Sequence, residues 1–332
     1  MKNFCDTYFM KRCLQLAEKG TGKVAPNPMV GCVIVYENKI IGEGYHRKFG
    51  DWHAEVNAIN SVKDKSLLKE STLYVNLEPC SHYGKTPPCV ERIIKEGVRK
   101  VVVCNLDPNP DVNGKGLQML RDAGIEVVTG VLEAEGLELN RRFFTFHTKH
   151  RPYITLKWAQ TKDGFIDAFE EKPIKISSDI TKALVHRMRA ENMGIMVGTN
   201  TALKDNPKLN TRRWCGKNCT RVVIDKEGKI PASNNIFDNS AKTIVIDRDM
   251  TPAEIGAKLY LEGIQSLIVE GGCNTLERFI ADGLYDEVQV EISQTECGSG
   301  VKAPQIELPE QSIEAAMYDD GQTLITWRNL YA

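Results

Sequence analysis

The chain has 332 residues, with 43 Lys and Arg against 44 Asp and Glu and a formal net charge of −1. That length suits about two domains, and so balanced a charge offers no general attraction to nucleic acid or to an anionic membrane, so any phosphate has to be held by local basic residues. Ten cysteines are scattered along the chain, several inside strand-like runs such as Gly31-Cys32-Val33-Ile34-Val35, which excludes a secreted disulfide framework and fits a reducing cytoplasm.

In chain order, Met1 to Asp6 lacks the apolar stretch of a signal peptide, and no run approaches the roughly 18 apolar residues of a membrane span. A cytoplasmic chain without a membrane partner is expected. Asp6 to Gly20 has helical periodicity. Met29 to Tyr36 and Ile40 to Tyr45 read as strands joined by the turn Glu37-Asn38-Lys39, and His53 to Ile59 as a helix. Ser71 to Leu77 reads as a buried strand, and Pro87-Pro88-Cys89 opens the helical pattern Val90 to Lys95, proline being favoured at a first helical position. Lys100 to Leu106 follows as a strand, Gly116 to Ala123 as a helix, Ile125 to Val131 as a strand and Leu132 to Phe146 as a helix. This order predicts an α/β layered sandwich with metal ligands at helix starts. The charged, proline-stopped Lys149-His150-Arg151-Pro152 marks the boundary between a domain spanning 1–149 and one spanning 150–332.

The second half repeats the alternation. Tyr153 to Ala159, Arg221 to Asp225 and Lys242 to Asp247 read as strands and Ala253 to Glu262 as a helix. Ser266 to Val269, Glu270 and the pair Gly271-Gly272 read as a strand ending in a glycine turn, with Cys273 to Ala281 as the helix that follows. A strand, a glycine turn and a helix start can cradle a phosphate, because backbone N–H groups and the helix dipole favour an anion there. The turn lacks the G-x-G-x-x-G spacing of a Rossmann dinucleotide site, and a tight turn without a ligand explains it equally well.

His53-Ala54-Glu55 and the segment from Pro79-Cys80 to Pro88-Cys89 together supply three borderline or soft metal ligands and a spare carboxylate. Catalytic zinc keeps three protein ligands and a water whose pKa falls toward neutrality. His53, Cys80 and Cys89 are the candidate ligands. On a helix Glu55 would stand about 200° around the axis from His53, beside the metal rather than on it. Zinc nucleobase deaminases carry H-x-E and then P-C-x-x-C, with the Glu as general acid and base. The chain has the first half of that pattern and a longer run, Ser81 to Pro88, between its cysteines. Cys215 and Cys219, with no matching ligand pair nearby, read as plain loop thiols.

Across nearly its whole length the chain resembles the bifunctional deaminase/reductase family of riboflavin biosynthesis. The motifs that carry the resemblance are Pro26-Asn27-Pro28-Met29-Val30-Gly31, Gly42-Glu43-Gly44-Tyr45-His46, His53-Ala54-Glu55, the run from Glu78 to Cys89, and Asp107-Pro108-Asn109-Pro110 with Gly114 and Gly116. In the second half the similar stretches are Leu156 to Gly164, Met188-Arg189-Ala190, Val197 to Arg212 and Val269-Glu270-Gly271-Gly272. The resemblance implies a cytidine-deaminase-like α/β/α sandwich followed by a dihydrofolate-reductase-like α/β domain. It implies Zn2+ and NADPH as cofactors and a pyrimidine ribosyl phosphate as substrate, deaminated at its 2-amino carbon and then reduced from ribosyl to ribityl. Glu55 would be the catalytic acid and base. Asn27, His46, Asp107 and Asn109 would contact the pyrimidine and ribose, and Lys85 the phosphate. In the reductase the resemblance assigns Arg189, Leu209, Arg212 and Glu270 to substrate, with the arginines gripping phosphate. It assigns Ala159, Lys175, Thr201 and Asp205 to cofactor, together with the run Gly272, Cys273, Asn274, Thr275, Leu276, Glu277 and Arg278. Lys157 is balanced between a substrate contact and an outward charge.

The chain departs from the family at Lys175, where tryptophan is usual, and at Thr161-Lys162-Asp163-Gly164, where serine and leucine commonly precede Asp-Gly. Those departures leave open a deaminase with a non-catalytic C-terminal domain. A structural zinc in an RNA-binding module would need a fourth ligand and a basic face, and the sequence offers neither. Homo-oligomerisation is left open.

Overall fold

In the computed structural model, which describes residues 5–83, 87–109, 112–169, 174–308 and 313–329, the chain divides into two units, Met1–Lys149 and His150–Ala332. The first contains α1 (Asp6–Ala17), β1 (Gly31–Tyr36), β2 (Lys39–Tyr45), α2 (Ala54–Ser61), β3 (Thr72–Leu77), α3 (Cys89–Glu96), β4 (Lys100–Asn105), α4 (Lys115–Asp122), β5 (Glu126–Val128), α5 (Glu133–Leu139) and α6 (Arg141–Lys149). Its sheet has the order β2-β1-β3-β4-β5, with β1 antiparallel to both neighbours and β3, β4 and β5 parallel.

The layers follow from the two-residue period of side chains along a strand. Cys32 and Ile34 of β1, Leu73 and Val75 of β3, and Val101 and Val103 of β4 enter one core with residues of α2, α3 and α4. The intervening Val33, Val35, Tyr74, Val102 and Cys104 enter another with Phe9, Met10, Cys13 and Leu16 of α1. The result is the expected α/β/α sandwich. The hairpin between β1 and β2 turns through Glu37 and Asn38, both at positive φ, the pattern of a tight two-residue hairpin. The helix expected over Leu132 to Phe146 is two helices, broken at Asn140. That side chain receives the Met29 N–H at 2.8 Å and donates to the Met29 carbonyl at 2.9 Å, so it acts as a bracket for another segment.

The second unit contains β6 (Tyr153–Gln160), β7 (Phe165–Asp167), α7 (Asp179–Glu191), β8 (Gly194–Val197), α8 (Thr199–Asp205), β9 (Thr220–Ile224), β10 (Thr243–Ile246), α9 (Pro252–Leu261), β11 (Ser266–Val269), α10 (Cys273–Ala281), β12 (Glu287–Ile292), β13 (Val301–Lys302), β14 (Ile313–Met317) and β15 (Thr323–Arg328). Eight strands form one sheet in the order β10-β9-β8-β11-β6-β12-β15-β14, while β7 and β13 pair separately. The strands from β10 to β12 are mutually parallel, and the central β8 and β11 are buried along their whole length, which suits their largely apolar sequences. Ile154, Leu156, Met196, Val222, Leu267 and Val269 face α9 and α10, and Ile195, Val197, Val223 and Ile268 face the opposite core. In such sheets ligands gather at the carboxyl ends of the strands. Cys215 is exposed and Cys219 buried, both free thiols.

Helix α2 rides on glycines of β2: a Cβ on Gly44 would lie 2.3 Å from the Ala58 nitrogen and 2.5 Å from the Ala54 carbonyl oxygen. Gly44→Ala therefore forces the helix off the sheet. The expected cost is about 1–3 kcal/mol, read as a lower urea midpoint for the first unit.

Candidate active sites

At the carboxyl end of β3 the chain runs through Glu78 and Pro79 to Cys80. Cys89 is the first residue of α3, behind Pro88 as N-cap, and His53 is the N-cap of α2 in extended backbone, with φ −69° and ψ 164°. His53 Nδ1 stands 3.5 Å from Cys80 Sγ and 3.3 Å from Cys89 Sγ, and the three donor atoms lie within 4.8 Å of one another. Ligands on a tetrahedral zinc at ordinary Zn–S and Zn–N lengths are separated by roughly 3.5 Å, so the donor set fits the ion. The Cys89 N–H donates to Cys80 Sγ at 3.3 Å. Hydrogen bonds from Cys89 and His53 pull the Cys80 thiol down to about 4, against the effect of burial. Sharing a proton with Cys80 and burial push Cys89 well up. The hydrogen bond to Cys80 raises His53 to about 9. Metal binding displaces such protons.

Glu55 is 3% exposed. Burial pushes its carboxyl up to about 7, partly opposed by the charge of His53, and it is hydrogen-bonded to Cys89. Its placement differs from the helical reading: His53 lies outside α2 as its cap, so the 200° spacing does not apply, and Glu55 reaches the cluster from inside the first turn.

Asn27 and His46 are brought together, with Asn27 Nδ2 and His46 Nε2 3.1 Å apart. The other ring nitrogen of His46, Nδ1, lies 3.1 Å from the Trp52 carbonyl oxygen. A proton on Nδ1 satisfies both contacts, leaving Nε2 to accept from the Asn27 amide, and burial lowers the His46 pKa in keeping with that neutral ring. The Asp107 carboxylate receives the Asn109 N–H at 2.9 Å, and burial raises Asp107 to about 6. Lys85 lies outside the described residues. The sequence reading places Asn76 in a strand and Glu78 in a family motif but gives neither a role. The signal was an amide interrupting an apolar strand and a carboxylate just beyond it.

In the second unit Glu270 follows β11 and meets two cations. Arg189 Nη2 donates to it at 2.9 Å, and Lys157 Nζ lies 3.6 Å away. Burial raises the Glu270 carboxyl, but the neighbouring Arg189 and Lys157 outweigh it and hold it below the usual carboxylate range. Arg189 also donates to the Asn210 carbonyl at 3.3 Å, and Arg212 to the Asn210 side chain at 2.8 Å, so both arginines converge on one residue. Arg212 is exposed. Leu209 is buried and at φ +48°.

The starts of α8 and α10 meet through Gly198 N–H, which donates to the Gly271 carbonyl at 2.9 Å. A Cβ on Gly198 would lie 2.7 Å from Thr275 Oγ1, and one on Gly272 3.2 Å from Thr201 Oγ1. Thr201, Gly272 and Thr275 thus share a cradle that only glycines leave open, which suits a cofactor phosphate. Ala159 and Cys273 are part-buried, while Lys175, Asp205, Asn274 and Glu277 are exposed. Leu276 is in the hydrophobic core, and the Arg278 guanidinium donates to the Met250 carbonyl at 2.7 Å.

Residues 4–105 match the cytidine and deoxycytidylate deaminase zinc-binding region, and residues 152–314 match the RibD C-terminal domain. Fold and site together thus define a zinc-dependent deaminase joined in one chain to a nucleotide-linked reductase. The riboflavin biosynthesis protein RibD of Aquifex aeolicus is 42% identical over 320 residues, 89% of each chain, and that of Escherichia coli is 33% identical over 332 residues, 90% of each chain. A Thermotoga maritima structure described as a diaminohydroxyphosphoribosylaminopyrimidine deaminase/5-amino-6-(5-phosphoribosylamino)uracil reductase superposes with a TM-score of 0.87 at 36% identity, covering 97% of this chain and 98% of that one. The chain belongs to the RibD family, the bifunctional deaminase/reductases of riboflavin biosynthesis, which use zinc and NADPH. No helix among the described residues is long and apolar enough to cross a membrane.

Cys89→Ala should drop the zinc content of purified protein from about one equivalent to near zero by atomic absorption. The same loss is expected of Cys80→Ala.

Proposed function

We propose that the first unit deaminates 2,5-diamino-6-ribosylamino-4(3H)-pyrimidinone 5′-phosphate and that the second reduces the ribosyl chain of the product to ribityl. The convergence of His53 Nδ1, Cys80 Sγ and Cys89 Sγ beside a buried Glu55 carries the reading. Bound zinc supplies an acidified water as nucleophile at neutral pH. Glu55 accepts a proton from the attacking water and returns protons to the ring nitrogen and the departing amine, work suited to a carboxyl poised near neutrality. Asn27, with its amide N–H directed at His46, keeps its carbonyl oxygen for a donor on the substrate. Asp107 and Asn109 bound the same site, and Lys85 meets the phosphate.

In the second unit NADPH supplies the hydride, and the protein supplies position and charge. Glu270, Lys157 and Arg189 form a buried polar cluster for the sugar, with Leu209 beside it. Arg212, whose guanidinium stands in solvent, is the phosphate grip. Cofactor phosphate lies against Gly272 and Thr275, with Ala159, Thr201 and Asp205 along its path.

Glu55→Gln should lower ammonia release at least ~100-fold with zinc content intact, and should leave NADPH oxidation on the deaminated nucleotide unchanged. Wild-type ammonia release by that variant would overturn the role of Glu55. Gly198→Ala, by contrast, should raise the KM for NADPH about tenfold by crowding Thr275 Oγ1, with deamination unaffected.

A further inference from the structure

Glu78 lies two residues before Cys80 and is 4% exposed. Its carboxylate is filled by backbone donors from Asp107 and from the start of α4: Oε2 accepts from the N–H of Asp107 at 3.3 Å and of Gly114, the helix's N-cap, at 3.0 Å, and Oε1 accepts from the N–H of Gly116 at 3.1 Å. Its own N–H donates to the Asn105 carbonyl at 2.9 Å, which fixes where the carboxylate starts. The loop so held carries Asp107 and Asn109 and ends at α4. It approaches Glu78 closely because residue 116 is glycine: a Cβ there would lie 2.4 Å from the Pro79 carbonyl oxygen.

Two residues earlier on the same strand, Asn76 treats another loop alike. Its Oδ1 accepts from the Gly31 N–H at 2.7 Å, and its Nδ2 donates to the Met29 carbonyl at 3.0 Å. That second segment carries Asn27. At intervals of two residues, then, the end of β3 brackets one loop through Asn76, another through Glu78, and supplies a donor to the metal cluster through Cys80.

We infer that Glu78 is a positioning residue of the deaminase, tying Asp107 and the start of α4 at a fixed place beside the metal cluster so that Asp107 and Asn109 present the substrate to it. The inference rests on the proposed deaminase reading. A residue with this role acts on substrate affinity more than on the chemical step, because neither the metal ligands nor Glu55 depend on the loop for their own contacts. Gln at this position keeps the shape but replaces one acceptor oxygen with an amide that meets backbone N–H groups donor to donor.

The test combines amide hydrogen exchange on the ligand-free, zinc-loaded full chain with steady-state ammonia release from the pyrimidine nucleotide. In Glu78→Gln, exchange at the Asp107, Gly114 and Gly116 amides should accelerate about tenfold or more while the β-sheet amides stay protected. KM should rise by a similar factor, with kcat within about threefold and zinc content unchanged. Gly116→Ala, which keeps the carboxyl group but crowds the Pro79 carbonyl oxygen and Glu78 Oε1 and so loosens the same attachment, should reproduce the KM effect. Wild-type exchange and KM in Glu78→Gln would overturn the inference, as would a loss confined to kcat, a loss of zinc together with global protection, or a wild-type KM in Gly116→Ala. If the unmutated chain releases no ammonia, the functional reading falls instead, and the exchange measurement still decides whether Glu78 holds the loop.

Discussion

A polar group taken out of water must find a partner inside the protein or the fold loses several kcal/mol, and the carboxyl end of β3 is arranged around that requirement. Up to Val75 the strand alternates apolar side chains into the two cores of the first unit. At Asn76 and Glu78 the same alternation delivers an amide and a carboxylate into buried positions. Neither could stay there without donors and acceptors, and among the described residues these come from the backbone of neighbouring segments. Satisfying the strand therefore fixes Met29 and Gly31 on one side and Asp107 and the start of α4 on the other. The metal cluster is built on that foundation, with one donor from the same strand end and two from helix starts that are themselves packed on the sheet.

The second unit meets the requirement with charge. Glu270 leaves the end of a fully buried strand and survives there because Arg189 and Lys157 reach it. Removing one partner of a buried pair leaves an uncompensated charge, which typically costs more than the pair contributes. Arg189 is thus bound to the cluster, and in the proposed reading its share in gripping phosphate passes largely to Arg212. The guanidinium of Arg278 is likewise turned to the Met250 carbonyl, so the cradle at Gly272 relies on backbone and hydroxyl groups.

Much of this was legible in the sequence because its signals are local. Two-residue alternation and apolar runs marked the strands from Gly31 to Val103, and the residues around Gly271 and Gly272 announced a strand, turn and helix whose last member, Cys273–Ala281, has the bounds read from sequence. The histidine, the glutamate and the two cysteines were visible by residue type and spacing. What stayed hidden depends on partners distant in the chain. Asn140 breaks a helix in order to bond Met29, 111 residues away. The cap geometry of His53 cannot be read from H-x-E, and the roles of Asn76 and Glu78 exist only where loops fold back on them. Nor did periodicity mark the closing antiparallel strands β14 and β15, since β14 is an edge strand exposed over most of its length.

The difference between recognising the base and gripping the phosphate has a consequence for the medium in which the chain works. Recognition by Asn27 and a neutral His46 uses short-range dipoles that dissolved ions barely disturb. A guanidinium standing in water, as Arg212 does, acts through a field that salt at 0.1 M shortens to about 10 Å. In the proposed reading, then, recognition of the base and capture of the phosphate feel their surroundings differently. Rising ionic strength weakens capture of the phosphate in either step without touching base recognition, so how readily the nucleotide is taken up is set in part by the electrolyte.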